Sequence, residues 1–428
     1  MDPRLLRYYN QELQHLREMG AEFAEAFPKI AARLRIEGVE VADPYVERLL
    51  EGFAFLAARV QLKLDAEFTR FTQRLLEIVY PHFLAPTPAM LVAQLQPQPG
   101  DAGLASGFII PRGTMLRSPV VRGTQTPCTF RTGHDVTLWP IDIVEASYFT
   151  HAANLPLTAV PGWRKYGGGL RLKLRATAAL DFSSLAITDL RLYCSGIDET
   201  AYRLHELVCG QALGAFVLGT DRTKAPRILP ADALEAAGFG DDEALLPVTL
   251  RGFAGYRLLQ EYFAFPQRFL FFDLRGVGDA LRAVGGQEAE IVILFERGDA
   301  SLQQSVDASS LALHCVSAIN LFEQRCDRIH VSPQTSDFHV VVDRTRPLDY
   351  EIHELLEVEG HGAHGSQTFL PLYAAFHTES RAHSAYYAVQ REPRLLSEVQ
   401  RREGPRSSYI GTEVFISLVD SREAPYPA

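Results

Sequence analysis

The stretch Asp43–Pro81, DPYVERLLEGFAFLAARVQLKLDAEFTRFTQRLLEIVYP, decides how the chain begins to fold. Asp43 offers a side-chain oxygen to the first free N–H groups of a helix, and Pro44 stands at the first helical position, where its missing N–H costs nothing. No proline follows until Pro81, and Gly52 is the only glycine. Pro81 cannot continue the helix and biases Tyr80 away from it. At 1.5 Å per residue such a helix is roughly 54 Å long.

Its apolar residues fall on two stripes. Val46, Leu49, Phe53, Leu56, Val60, Leu64, Phe68, Phe71, Leu75 and Ile78 step by three or four along one side. Phe55, Ala58, Leu62 and Ala66 step likewise and lie roughly opposite, at about 100° per residue. Two opposed stripes require cover from both sides. Ahead of the long helix stand only a helix from Pro3 to about Phe27 and a weaker segment at Lys29–Ile36. Either these helices and the following domain cover both stripes, or a second protein covers one of them. On the second reading Phe53, Leu56 and Val60 face this chain's own core, and Phe55, Ala58, Leu62 and Ala66 face a partner.

The run Ala42–Leu56, ADPYVERLLEGFAFL, resembles the N-terminal signature of the TssF (VasA, ImpG) family of type VI secretion systems. Tyr8–Leu13 (YYNQEL) and Tyr80–Pro88 (YPHFLAPTP) fit the same family, as do Gly255–Leu274 (GYRLLQEYFAFPQRFLFFDL), Ala318–Val331 (AINLFEQRCDRIHV) and Phe338–Leu355. The similarity runs in order along essentially the whole chain. Family members usually continue beyond the last residue here, so the resemblance implies a chain without its C-terminal part, by removal or as a short variant. The run Ile110-Pro111-Arg112-Gly113-Thr114 with Phe130-Arg131-Thr132 is also similar to a strand motif of phage baseplate J proteins.

With 47% hydrophobic and 22% charged residues, the chain of 428 residues has the composition of two to four folded domains. Its 42 basic and 52 acidic residues leave a net charge of −10. The densest basic group is Arg401, Arg402 and Arg406, too small a footprint for a nucleic-acid surface. No run of 18 apolar residues is present, which argues against a membrane span. Glu12, Glu18, Glu22 and Glu25 interrupt the N-terminus, which does not read as a secretory signal. Cys128, Cys194, Cys209, Cys315 and Cys326 are odd in number and form no C-x-x-C pair, as expected of reduced thiols in a cytoplasm.

Beyond Pro81, Pro86 and Pro88 the period changes from helical to alternating. Gly107–Val121 reads as strands about a turn at Pro111–Thr114, followed by strands at Cys128–Arg131 and Val136–Trp139, with Gly133–Asp135 as a loop. Leu170, Leu172 and Leu174 alternate with Arg171, Lys173 and Arg175, a strand with one solvated face. A strand at Leu190–Cys194 precedes helical spacing over Glu199–Val217. Phe263, Phe265, Phe269 and Phe271 alternate as in strands that bury one face. Ile291–Phe295 is a short buried strand, Leu311–Phe322 reads as helical turns, and strands follow at Phe338–Val342, Tyr386–Gln390 and Val414–Val419. The fold class is α+β. An N-terminal helical region (1–88) precedes a β-rich domain (89–160), a sandwich-like domain with a helical insertion (161–300) and a third α+β domain (301–428).

No motif carries chemistry. His361-Gly362-Ala363-His364 follows Glu351, His353, Glu354, Glu357 and Glu359, but its glycines and mixed spacing describe a solvated loop rather than a preorganised metal site. Gly167-Gly168-Gly169 precedes a strand, so no helix N-terminus follows to hold a phosphate. Neither a P-loop nor a nucleophile elbow is present. Arg325, Arg328, Asp343, Arg344 and Arg346 read as a solvated face or structural ion pairs. We therefore expect no catalytic residue, metal or cofactor. The resemblance implies a wedge subunit of the type VI secretion baseplate. Two copies assemble with one TssG through an N-terminal helical bundle, around a spike hub, and TssK links the wedge to the inner face of the cytoplasmic membrane. TssE and the contractile sheath complete the implied partners. The alternatives are a wedge protein of another contractile phage-like tail and a carbohydrate-active β-sandwich enzyme.

Titration of denatured, unreduced protein from a cytoplasmic preparation should find all five thiols reactive. A reproducible shortfall of two would reveal a disulfide and overturn the compartment assignment.

Overall fold

The computed structural model describes residues 3–37, 40–41, 43–98, 102–120, 126–152, 155–221, 223–248, 253–332, 334–362, 365–372, 385–395 and 409–420. It opens with three helices, α1 (Pro3–Ala26), α2 (Pro28–Leu34) and α3 (Pro44–Val79). α3 starts and stops where its punctuation requires. The Asp43 carboxylate accepts the Tyr45 N–H at 2.9 Å, Pro44 occupies the first turn, and the Tyr80 N–H closes the last turn on the Leu76 carbonyl.

The main body is built from two antiparallel sheets that share one core. Five strands run in the order Arg227–Pro230, Ala212–Gly219, Glu288–Phe295, Gly168–Ala176 and Ile141–Phe149. Four more run in the order Leu234–Ala236, Phe271–Leu274, Leu190–Cys194 and Leu311–Ala312. Leu170, Leu172, Leu174, Leu192, Phe272 and Ile291 meet between them, together with α4 (Asp198–Gly210) and α6 (Val277–Val284). The other face of the five-stranded sheet buries Phe216, Val292 and Leu294 beneath Leu157 and Val160. Strands covered on both faces lose their alternation, which is why Glu288–Phe295 ends in an unbroken apolar run. The expected solvated face of Gly168–Ala176 is present: Arg171 pairs with Glu290 at 2.7 Å, and Lys173 and Arg175 each pair with Glu288 at 2.8 Å.

A smaller four-stranded sheet pairs Met90–Gln94 with Cys315–Ile319 and continues through Thr129–Thr132 to Met115–Arg117. Hydrogen bonds therefore cross the boundaries expected at 160 and 300. The last sheet, in the order Asp337–Val340, Thr412–Val419, Tyr386–Pro393, Gly365–Pro371 and Val358–Gly362, has its own core of Phe338, Val340, Phe369, Tyr387, Val414 and Ile416. The architecture is α+β, as the residue pattern requires.

Three local expectations are corrected. Helical spacing over Glu199–Val217 holds only to Gly210; Ala212–Gly219 is a strand buried on both faces, whose apolar run carries no period of its own. Leu311–Phe322 forms strands, because Cys315–Ile319 sits between two neighbours in a sheet and is buried throughout. The alternating phenylalanines do not mark one-faced strands: Ala254–Ala264 is a helix, α5, followed by a 3-10 turn at Pro266–Phe269 and a strand at Phe271–Leu274. Arg257 and Glu261, four apart and both buried, hold that segment helical, and Pro266 ends it.

The glycine run serves close packing. A Cβ on Gly168 would lie 2.2 Å from the Tyr148 hydroxyl, and one on Gly169 would lie 2.4 Å from the Phe149 ring. All five cysteines are free; Cys128 is exposed, while burial pushes the Cys315 thiol up to about 12.

Two of the buried histidines, His314 and His134, are held well below their ordinary pKa. His314 accepts the Trp139 N–H at 3.1 Å, and burial lowers it from 6.5 to about 4. His134 packs edge-on against Phe271; burial, then the Arg191 charge, lowers it to about 4 as well. As pH falls below 6.5 the unfolded chain takes up these protons first, so native stability declines between pH 6.5 and 4 and levels off below. At its limit the loss is on the order of 3 kcal/mol per histidine. Urea melts across this window should show the decline, and His314→Gln should flatten it. A slope unchanged by that substitution would remove His314 from the account.

Candidate interaction surface

Two helices make an arm. α1 runs antiparallel to α3, with Tyr8 hydrogen-bonded to Asp65 near one end and Arg17 paired with Glu47 at 3.1 Å near the other. Between these ties Ala54 and Ala58 are wholly buried, and half-buried Leu13 and Leu16 lie on the facing side of α1. Small side chains on one helix admit large ones from the other, so two helices pack closely along a single seam.

This packing settles where the stripes go. Phe53, Leu56 and Val60, expected in the core, are 60%, 58% and 60% exposed. Leu49, Leu64, Phe68, Phe71, Leu75 and Ile78 are exposed with them, while Val46 is half-buried. Of the residues expected at a partner interface, Ala58 is buried, Leu62 is half-buried and Phe55 is 39% exposed. The side chain of Ala66 lies outside those described. The core expectation for Phe53, Leu56 and Val60 is thus overturned, because α1 selects the alanine side for close approach. The outer stripe runs from Leu49 to Ile78, roughly 44 Å of uninterrupted apolar surface at 1.5 Å per residue.

The foot of the arm is held by the body at two points. The Tyr80 hydroxyl donates to Gln260 Oε1 at 2.9 Å, and its ring lies 5.8 Å from that of Tyr256 on α5. One turn on, His82 meets Glu354 at 3.3 Å and lies 5.5 Å from the buried ring of His353, which bonds the Pro86 carbonyl at 3.2 Å. Burial lowers the His353 pKa, so it packs there as a neutral ring.

Beneath the Tyr80 contact lies a buried ionic clasp. Glu261 accepts the Leu246 N–H at 3.0 Å and Arg257 at 3.1 Å, and pairs through its other oxygen with Arg268. Arg268 also donates to the carbonyls of Gly238, at 2.6 Å, and Glu243, at 3.1 Å. Arg257 reaches Asp241 at 2.6 Å. Reading the segment as strands missed this clasp. The signal for it was the Arg257–Glu261 spacing of four inside an aromatic run.

Among the described residues no group of three or more His, Cys, Asp or Glu could hold a metal ion, and no helix is long and apolar enough to cross a membrane. His361 lies on an exposed strand, bonded to Ser366 at 2.8 Å, and His364 lies outside the described residues. Two arginines of the patch have partners within it: Arg346 meets Asp343 at 3.1 Å, and Arg344 donates to the Arg328 carbonyl at 3.0 Å.

A family model described as "Type VI secretion system, TssF" matches residues 1–428. The type VI secretion system component TssF1 of Pseudomonas aeruginosa is 53% identical over 427 residues, covering 100% of this chain and 69% of that protein. A chain of the TssK-TssF-TssG baseplate subcomplex has the same fold, with a TM-score of 0.64 and 22% identity over 87% of this chain and 67% of its own length. A chain of the type VI baseplate complex is a weaker likeness, at a TM-score of 0.48 and 23% identity over 99% of this chain and 72% of that one.

Breaking a buried ion pair by removing one charge strands the other. Glu261→Gln should cost about 3–5 kcal/mol of folding stability, read by urea denaturation, because Arg257 and Arg268 lose their shared carboxylate. A change below about 0.5 kcal/mol, the range of ordinary surface substitutions, would show that the clasp is dispensable.

Proposed function

The chain belongs to the TssF family of the type VI secretion system, and from that premise we propose that it is a structural wedge subunit of the secretion baseplate that catalyses no reaction. The observation that carries this reading is the outer stripe of α3. An isolated chain has no use for nine large apolar side chains in one row facing water. Fully burying a side chain of this size contributes about 1.5–3 kcal/mol, so the row offers a driving force on the order of 10 kcal/mol before association costs. A seam one helix wide fits the helices of another subunit.

In this reading the α1–α3 arm joins a helical bundle with TssG and the arm of a second copy, and Phe55 lies at the edge of the buried seam. TssK, TssE, the spike hub and the sheath belong to the same proposed assembly, docked at the inner face of the cytoplasmic membrane. The β body acts as a stiff block carried by the bundle. The mechanism is mechanical: a ring of such wedges holds the sheath extended until the ring rearranges.

Leu56→Glu with Val60→Glu should leave the melting temperature of the isolated chain within about 2 °C of the original, since exposed substitutions change stability little. The same pair should abolish co-elution with TssG, because two carboxylates would be buried unpaired when the partner docks. Unfolding of the isolated variant would return the stripe to the core. Co-elution at unchanged affinity would remove it from the interface.

A further inference from the structure

α5 is the second place where burial runs against residue type. Its only charged residues, Arg257 and Glu261, point inward and are 6% and 0% exposed. Tyr256, Leu259, Tyr262 and Phe263 point outward together with Phe253 at the cap, and Phe263 is 81% exposed. The helix is inverted, with its polar side inside and its apolar side in water. The clasp fixes that orientation: rolling α5 over would carry Arg257 along but pull Glu261 from Arg268 and from the Leu246 N–H, and Arg257 from Asp241.

The outward face continues the α3 stripe. Ile78, Val79 and Phe83 are exposed at the foot of the arm, Tyr80 packs on both Phe83 and Tyr256, and Phe253 stands edge-on to Tyr256 at 5.7 Å. We propose that α5 is a docking face for a helix of TssG, the same subunit that covers the α3 stripe, and that it recognises an uncharged aliphatic or aromatic seam. The proposal rests on the bundle reading above and extends the interface from the arm onto the body.

Area selects the occupant. Aromatic side chains bury about 150–250 Å² each, so the partly exposed set on α5 offers about 500 Å². A stable interface takes about 800 Å² from each partner. α5 is too small to hold a protein alone, so its occupant is anchored elsewhere, and the adjoining stripe is that anchor. A second copy of this chain fits less well. The outward side of its α1 carries Arg4, Arg7, Glu18, Glu22 and Glu25, which α5 has no outward charge to meet, and its α3 stripe is already used in the bundle. Contact at α5 would also fix the angle at Tyr80, so that the partner grips the arm and the body together.

The test uses the whole chain co-produced with TssG. A photo-crosslinking amino acid at position 263, with the exposed position 199 at the start of α4 as control, should give an adduct with TssG from position 263 only. Leu259→Glu with Phe263→Glu should keep the melting curve and weaken TssG binding at least tenfold, a loss of about 1.4 kcal/mol or more. An adduct with a second copy of this chain, or no adduct together with unchanged affinity, would overturn the proposal. If TssG instead survives Leu56→Glu with Val60→Glu yet still crosslinks at 263, the stripe reading fails while α5 remains an interface.

Discussion

A helix of 36 residues with apolar residues on two sides needs cover on both, and among the described residues one helix, α1, packs along it. Everything distinctive in the N-terminal region follows from that shortage. α1 can approach closely only where α3 is lined by small residues, so Ala54 and Ala58 vanish into the contact. The large side chains on the other side remain outside. A stripe that elsewhere would define a core here defines a surface.

The same inversion recurs at the foot of the arm, where its cause is electrostatic. Glu261 is shared between Arg257 and Arg268, and Arg268 is further tied to two backbone carbonyls. Such a network adds little net stability over well-packed apolar residues, but once formed it is costly to break in part. Its consequence is geometric. α5 is locked with its aromatics turned out, next to the Tyr80 ring that joins arm to body. Both exposed apolar surfaces therefore sit on rigid elements and adjoin each other, as expected of a component whose work is to be gripped.

Several of the groups singled out in the sequence have packing or hydrogen-bond partners within the fold. Gly168 and Gly169 admit the Tyr148 and Phe149 rings, Gly167 packs on the backbone of residues 296–298, His314 accepts a backbone N–H, and Arg344 and Arg346 have partners within the arginine patch.

Local punctuation was legible in the residues. Asp43, Pro44 and Pro81 set the bounds of α3, because caps and proline act within a turn of their own position. Strands with one solvated face, such as Gly168–Ala176, announced themselves by alternation. Segments buried on both faces did not: Ala212–Gly219 and Cys315–Ile319 carry apolar runs whose period is erased by cover on each side. The fate of the two stripes was also out of reach. Periodicity says which residues share a face, but which face meets protein depends on how closely the neighbouring helix can approach. The sequence by itself determined the length of α3, its two stripes and the α+β class. Only the tertiary structure decided which stripe of α3 faces water, through the small volume of Ala54 and Ala58 against α1, and which side of α5 does, through the carboxylate at 261 held by Arg268.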